Sequence, residues 1–308
     1  MRLKVILSIA GAWLLVTGCA LGANSVATNS VPVPTPSTGG PSTTGNATAN
    51  IPKQAPAHVV LVIEENHSYS EIFGNRQAPY INSLMGQGAN FVNYHGVEHP
   101  SQPNYLDLFS GSNQGVTSDA CPQTFSAPNL GSEMLARGLS FVGYSEGLPS
   151  QGYTGCSSGH LWLPGGAAYA RKHSPWVNFT NLPASTNQPF ANFPTDYGQL
   201  PTLSIVIPNL NHDMHNGTIQ AGDTWLQQHL AGYVTWAKTH NSLLIVTWDE
   251  DDTSSSNQVP TFFVGSMVQV GTYKDTYNHF NLLRTLEAWY GLPVLGKSAD
   301  AGVMSLST

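Results

Sequence analysis

The sequence predicts an α/β fold of three layers, with a mostly parallel central sheet between helices. Two observations carry this expectation. Four continuous apolar runs, His58 to Ile63, Leu203 to Ile207, Leu243 to Trp248 and Thr261 to Val264, read as strands buried on both faces. Helical patterns lie between and after them, and strand–helix–strand order favours parallel pairing. Asp223 is expected to cap a helix that carries Leu226, Leu230, Tyr233, Val234 and Ala237 on one face. Phe280, Leu283, Leu286 and Tyr290 mark a last helix, stopped by Gly291 and Pro293. The Gly-, Pro- and Asn-rich stretch 145–200 is expected to make a long excursion over the active site.

The 308-residue chain opens on an address. Arg2 and Lys4 precede the apolar run Val5 to Val16, which is too short for a membrane span and reads as a signal peptide. It ends Val16-Thr17-Gly18-Cys19, similar to a bacterial lipobox, so residues 1–18 are expected to leave and Cys19 to be lipidated. Residues 19–56 are then a lipidated cysteine and a tether rich in Ala, Ser, Thr, Asn, Gly and Pro, with Lys53 its one charge. Too little apolar surface exists there to fold, and as a coil the tether reaches roughly 30–35 Å. Residues 57–308 form the domain. The expected location is outside the cytoplasm, anchored to the membrane or secreted. Cys121 and Cys156 are then expected to pair.

Only 9% of the residues are charged, the net charge is −7, and the 11 histidines equal the lysines and arginines in number. An acidic chain does not fit a nucleic-acid binder that relies on phosphate contacts. A hydrophobic content of 41% excludes disorder throughout. Three cysteines are too few for a disulfide scaffold.

The sparse polar groups gather where strands end, and in open sheets ligands bind beyond the C-terminal ends of strands. Glu64-Glu65-Asn66-His67 follows the first strand. His99 to Tyr105 contains Ser101 and Asn104. Pro208 to Gly217 contains His212, Asp213 and His215. Asp249-Glu250-Asp251-Asp252 follows another strand. Such a cluster taken alone is as readily a solvated turn or a set of hydrogen-bonded loop residues. Together they supply hard oxygen ligands, imidazoles and a hydroxyl, which suits metal-assisted hydrolysis. Ser101 is the candidate nucleophile, expected to cap a helix starting near Gln102, whose N-terminus would bind phosphate while Asn104 adds an amide donor. A serine needs a base or a metal to become an alkoxide. His229 and His240 read as ordinary helix residues.

Several stretches resemble the phosphoesterase family of bacterial acid phosphatases and phospholipases C, similar to the alkaline phosphatase superfamily. They are Val59 to Gly74 (VVLVIEENHSYSEIFG), Ser101 to Gly111 (SQPNYLDLFSG), Asn211 to Leu226 (NHDMHNGTIQAGDTWL), Ile245 to Glu250 (IVTWDE) and Tyr277 to Glu287 (YNHFNLLRTLE). With Ala170 to Phe179 (ARKHSPWVNF), the short chain is most similar to secreted mycobacterial acid phosphatases active on phosphatidylinositol 3-phosphate. The resemblance implies an alkaline phosphatase-like fold and a phosphomonoesterase working through phosphoserine at Ser101. It implies one divalent metal held by Glu65, Asn66, Ser101, Asp249 and Glu250. It places Asp213, His215 and His173 at the phosphate site, with His215 preferred as proton donor to the leaving alcohol. His212 and Asn104 join the substrate-binding set, and His279 lies in a hallmark that reads as substrate-binding or structural. The implied substrate is a phosphate monoester, a phosphoinositide or other phospholipid included. The histidines suit mildly acidic conditions.

Rival readings are weaker on the residues. Gly143-Tyr144-Ser145-Glu146-Gly147 matches a nucleophile elbow, but Leu148-Pro149 follows where that elbow needs a helix. Ser101-Gln102-Pro103-Asn104 is followed by Tyr105, where sulfatases have Arg. A phospholipase C-type diesterase fits the motifs, though such chains are longer. A tethered, non-catalytic binding protein would share the lipobox.

Overall fold

The computed structural model describes residues 55–159 and 169–306. The signal peptide, Cys19 and nearly all of the tether lie outside the described residues. Among the described residues there are twelve strands and six α-helices. In chain order these are β1 (His58–Glu64), α1 (Tyr69–Ile72), α2 (Pro79–Gln87), β2 (Ala89–Phe91), β3 (Tyr94–His95) and α3 (Ser101–Ser110). There follow α4 (Leu130–Ala136), β4 (Phe141–Ser145), β5 (Ser157–Ser158), β6 (Tyr169–Ala170), β7 (Asn187–Pro189) and β8 (Leu203–Ile207). Last come α5 (Ile219–Ala237), β9 (Ser242–Trp248), β10 (Thr261–Gly265), β11 (Gly271–Tyr273), β12 (Tyr277–Asn278) and α6 (His279–Tyr290).

Eight strands form one sheet in the order β11-β2-β10-β9-β1-β8-β4-β7. β9, β1, β8, β4 and β7 pair parallel, and β10 is antiparallel to both β9 and β2. The continuous apolar runs have the expected consequence: every residue of β8 and β9 is buried. Successive strand residues point to opposite faces. On β10 the Phe263 ring meets Trp289 of α6. The next side chain, Val264, lies where a Cβ on Gly88, just past α2, would collide with it. So α6 covers one face and α2 the other. α3 and α4 pack with α6, and α5 packs with α2. This is the expected mostly parallel α/β sheet with a helix layer on each face.

The register brings the strand ends together. Glu64 pairs with Trp248, Val62 with Val206, and Ser145 with Ile207. The loops leaving β1, β4, β8 and β9 therefore emerge along one edge.

Two helix starts differ from expectation. Ser101 is the first residue of α3, and Pro100 holds the cap position. The cap is supplied from a distance: Asp119 Oδ1 accepts the Gln102 N–H at 3.0 Å. Asp223 lies inside α5, which Thr218 caps by accepting the Ala221 N–H at 3.1 Å. The buried Asp223 carboxylate instead accepts the Tyr80 and Ile81 N–H groups at 3.3 and 2.8 Å, so it caps α2. Both are tertiary caps that local sequence does not reveal. At the other end of α3, Gly111 adopts φ 68°. A Cβ there would come within 1.9 Å of the Leu295 carbonyl, so only glycine fits the stop.

The described parts of the stretch 145–200 form short strands and 3-10 turns, and β7 joins the sheet edge beside β4. Cys121 and Cys156 are bonded, as expected. Ser145 of the elbow-like motif is buried against the Ser174 hydroxyl at 2.9 Å, with no helix following.

Candidate active site

The site is built on the strand-end edge. Glu65 follows β1 directly, and its backbone N–H donates to the Asp213 carbonyl at 2.8 Å, which ties the loops after β1 and β8 together. Asn66 and Met214, one in each loop, hold positive φ values of 57° and 76°. Non-glycine residues in this region cost about 1 kcal/mol or more each. Packing must hold them there, and Met214 is buried.

Ser101 is aimed at two carboxylates. Its hydroxyl donates to Glu250 Oε1 at 2.8 Å and lies 3.1 Å from Glu65 Oε2. One α-helical turn on, the Tyr105 hydroxyl donates to Glu65 Oε1 at 2.5 Å. The Asn66 N–H approaches Asp249 Oδ1 at 3.4 Å. Thus Glu65, Asn66, Ser101, Asp249 and Glu250 converge, with Glu65, Ser101, Asp249 and Glu250 all buried.

Two histidines expected at the phosphate site, His173 and His215, stand beside Glu65 as candidate metal ligands. His173 Nε2 stands 3.0 Å from Glu65 Oε1, and its Nδ1 stands 3.2 Å from Asp213 Oδ2. Glu65, His173 and His215 each offer a ligand atom, all within 4.8 Å of one another. His215 Nδ1 faces Asn216 Oδ1 at 2.8 Å, and its backbone N–H donates to Asp213 Oδ1 at 2.8 Å. With Nδ1–H donating to Asn216, the lone pair of His215 lies on Nε2. Burial lowers the pKa of His215, and the Lys172 charge adds to this. A neutral ring with its lone pair toward the site is better suited to ligation than to protonating a leaving group.

Electrostatics point the same way. Burial pushes the carboxyls of Glu65, Asp213 and Asp249 well above the usual range, and repulsion among them adds to it. Burial likewise holds His173 neutral. Asp249 Oδ2, Asp213 Oδ2 and His173 Nε2 are buried with no hydrogen-bond partner among the described residues. Gathered carboxylates with orphaned atoms are costly unless a cation or protons compensate them. Hard oxygens beside two imidazole nitrogens fit a divalent metal.

Other expected residues sit outside this centre. His212 Nδ1 pairs with Glu146 at 2.9 Å and its ring stacks toward Trp225. Asn104 has no free amide. Its Oδ1 accepts the Val97 and Glu98 N–H groups at 2.8 and 2.9 Å, and its Nδ2 donates to the Glu98 carbonyl at 2.8 Å. It clamps the loop ahead of Ser101. His279 is buried behind the site, with Nε2 donating to the Asp249 carbonyl at 2.6 Å and Nδ1 beside the Tyr94 hydroxyl at 3.1 Å. It therefore positions the acidic loop from behind. His99 Nδ1 meets Glu250 Oε2 at 2.5 Å on the solvent side.

Sequence reasoning missed Tyr105 and Lys172. On the sequence Tyr105 marks only the absence of the sulfatase Arg, although its spacing of four from Ser101 puts both on one helix face. Lys172 arrives on a 3-10 turn, Arg171–His173, inside the irregular stretch, which carries no periodic signal.

A family model described as the phosphoesterase family matches residues 75–293. The chain belongs to the phosphoesterase family. It is 52% identical over 248 residues to the phosphatidylinositol-3-phosphatase of Mycobacterium tuberculosis, with 80% of each chain covered. It is 32% identical over 231 residues to the phosphate-repressible acid phosphatase of Penicillium chrysogenum, covering 70% of this chain and 55% of that one. A solved protein of the alkaline phosphatase superfamily from Vibrio parahaemolyticus superposes with a TM-score of 0.55 at 13% identity, covering 83% of this chain and 72% of that one. A phosphonate monoester hydrolase from Silicibacter pomeroyi gives 0.53 at 11% identity, covering 80% and 76%. These two show the alkaline phosphatase-like fold. The phosphoesterase is accordingly a hydrolase of phosphoric esters.

Proposed function

We propose that the chain is an exported, metal-dependent phosphomonoesterase of the acid phosphatase type that works through a phosphoserine on Ser101. The observation that carries the reading is the buried Ser101 hydroxyl held between Glu250 and Glu65, at 2.8 and 3.1 Å. Glu250 is placed to take the hydroxyl proton as Oγ attacks phosphorus in line. The phosphorus–leaving-group bond breaks and the departing oxygen takes a proton from water. A water then hydrolyses the phosphoserine to inorganic phosphate, and Glu250 returns its proton to the Ser101 oxygen.

Glu65, His173 and His215 would hold the metal, with the carboxylates of Asp249 and Glu250 and the loop at Asn66 closing the site. When bound, a divalent cation supplies positive charge that lowers the pKa of a serine hydroxyl and offsets charge on phosphoryl oxygens. Tyr105 orients Glu65 and His279 orients Asp249, while Asp213 stands beside His173. The name of the mycobacterial relative supports a phosphoinositide headgroup as substrate. Export and a lipid anchor at Cys19 rest on the signal peptide and lipobox.

The test is a phosphomonoesterase screen of the purified protein between pH 4 and 8, with and without chelator. Activity is expected, lost on chelation and restored by a divalent metal, and reduced at least ~1,000-fold in Ser101→Ala. Full activity in Ser101→Ala would overturn the nucleophile assignment. Indifference to chelator would overturn the metal.

A further inference from the structure

We propose that Lys172 binds a phosphoryl oxygen of the substrate and makes the site selective for dianionic phosphate monoesters over monoanionic diesters. This rests on the phosphoesterase reading and names the residue that sets its substrate class. Lys172 is largely buried, and its Nζ lies 2.7 Å from Asp119 Oδ2 and 3.4 Å from His215 Nε2. An ammonium has three N–H donors. Asp119 takes one, and with the His215 Nε2 lone pair given to a metal the other two remain for ligand oxygens.

The position is tied to the nucleophile. The other oxygen of Asp119 accepts the N–H of Gln102, the residue after Ser101, at 3.0 Å. One carboxylate therefore links the ammonium to the start of α3. The disulfide braces both partners. Cys121 lies two residues past Asp119, and the carbonyl of Cys156 accepts the Arg171 N–H at 3.0 Å. Arg171 itself turns away, its guanidinium donating to Asn178 Oδ1 and to the carbonyls of Thr154, Gln123 and Val177. A fixed cation at this place meets a phosphoryl group presented to Ser101. A monoester brings one more unit of negative charge than a diester, so it gains more from that cation.

A purely structural role, as the partner of Asp119, predicts something different. It would affect both ester classes alike. The experiment uses the full chain and compares p-nitrophenyl phosphate with bis(p-nitrophenyl) phosphate. Lys172→Gln is expected to lower kcat/KM for the monoester ~100-fold and for the diester less than ~5-fold. The inhibition constant of inorganic phosphate should rise at least ~10-fold. Lys172→Arg, which keeps the charge, should restore most of the monoester preference. Asp119→Asn, which keeps the ammonium and breaks the pair, should also retain it. Equal losses on both esters, or an unchanged phosphate inhibition constant, would overturn the proposal. If Lys172→Gln fails to fold, the preference in Lys172→Arg and Asp119→Asn decides, and its loss in both would refute the assignment. If the unaltered chain cleaves neither ester, the phosphoesterase reading fails. Calorimetry of inorganic phosphate binding to the unaltered chain and to Lys172→Arg and Lys172→Gln still decides the role of Lys172.

Discussion

Replacing Asp107 with Asn should stabilise the protein at pH 8 and change it little at pH 4. Asp107 lies on α3, fully buried. Burial first, and the neighbouring Glu98 carboxylate second, push its pKa from 3.8 to about 7, with Lys297 offsetting part of the shift. A carboxyl whose folded pKa is raised favours the folded state while protonated. That favour is complete below the unfolded pKa near 4, fades as pH rises through about 7, and is gone above it. A shift of about three units corresponds to about 4 kcal/mol at most, and relaxation of the surrounding charges and dipoles reduces this to about 2–3 kcal/mol. Asn cannot ionise, so the variant escapes the loss. For a domain of this size the gain at pH 8 is about 5–10 °C in Tm. The assay is differential scanning calorimetry of both proteins at pH 4, 6 and 8 in one metal-free buffer. A variant that is less stable at pH 8, or shifted equally at every pH, would refute the reasoning.

Two further expectations follow from buried contacts. His279 is held at a pKa of about 4 by burial, so it resists protonation in the folded state. Stability should therefore fall as pH drops from about 6.5 toward 4, by about 3 kcal/mol, and His279→Gln should flatten that slope in urea titrations. The Cys121–Cys156 bond closes a loop of sequence separation 35. Replacing both residues with Ser should cost about 3–4 kcal/mol by the chain-entropy estimate, read as a lower thermal midpoint in non-reducing buffer.

The framework was legible because β1, β8, β9 and β10 are continuous apolar runs, and burial on both faces leaves that signature without ambiguity. The chemistry at the strand ends was legible for the same reason: in a chain with 9% charge, the polar residues after each strand stand out. What stayed hidden depends on tertiary reach. Asp223 looked like a cap for its own helix, and only packing shows it capping α2. His173 gave no local hint that it would insert between Glu65 and Asp213, because the turn that delivers it has no periodicity. His212 and His215 sit three residues apart in one motif, and the sequence sends both to the substrate. The backbone at Met214, with its φ of 76°, separates them, sending one ring to Glu146 and the other to the candidate metal group.

The most direct test of the central claim is to trap the intermediate. The protein is mixed with a 32P-labelled phosphomonoester at pH 5, quenched in acid within milliseconds and digested. The account predicts acid-stable phosphate on the peptide that contains Ser101, in an amount approaching one per chain when the second step is slow. Phosphate on another residue, or none during rapid turnover, would contradict it.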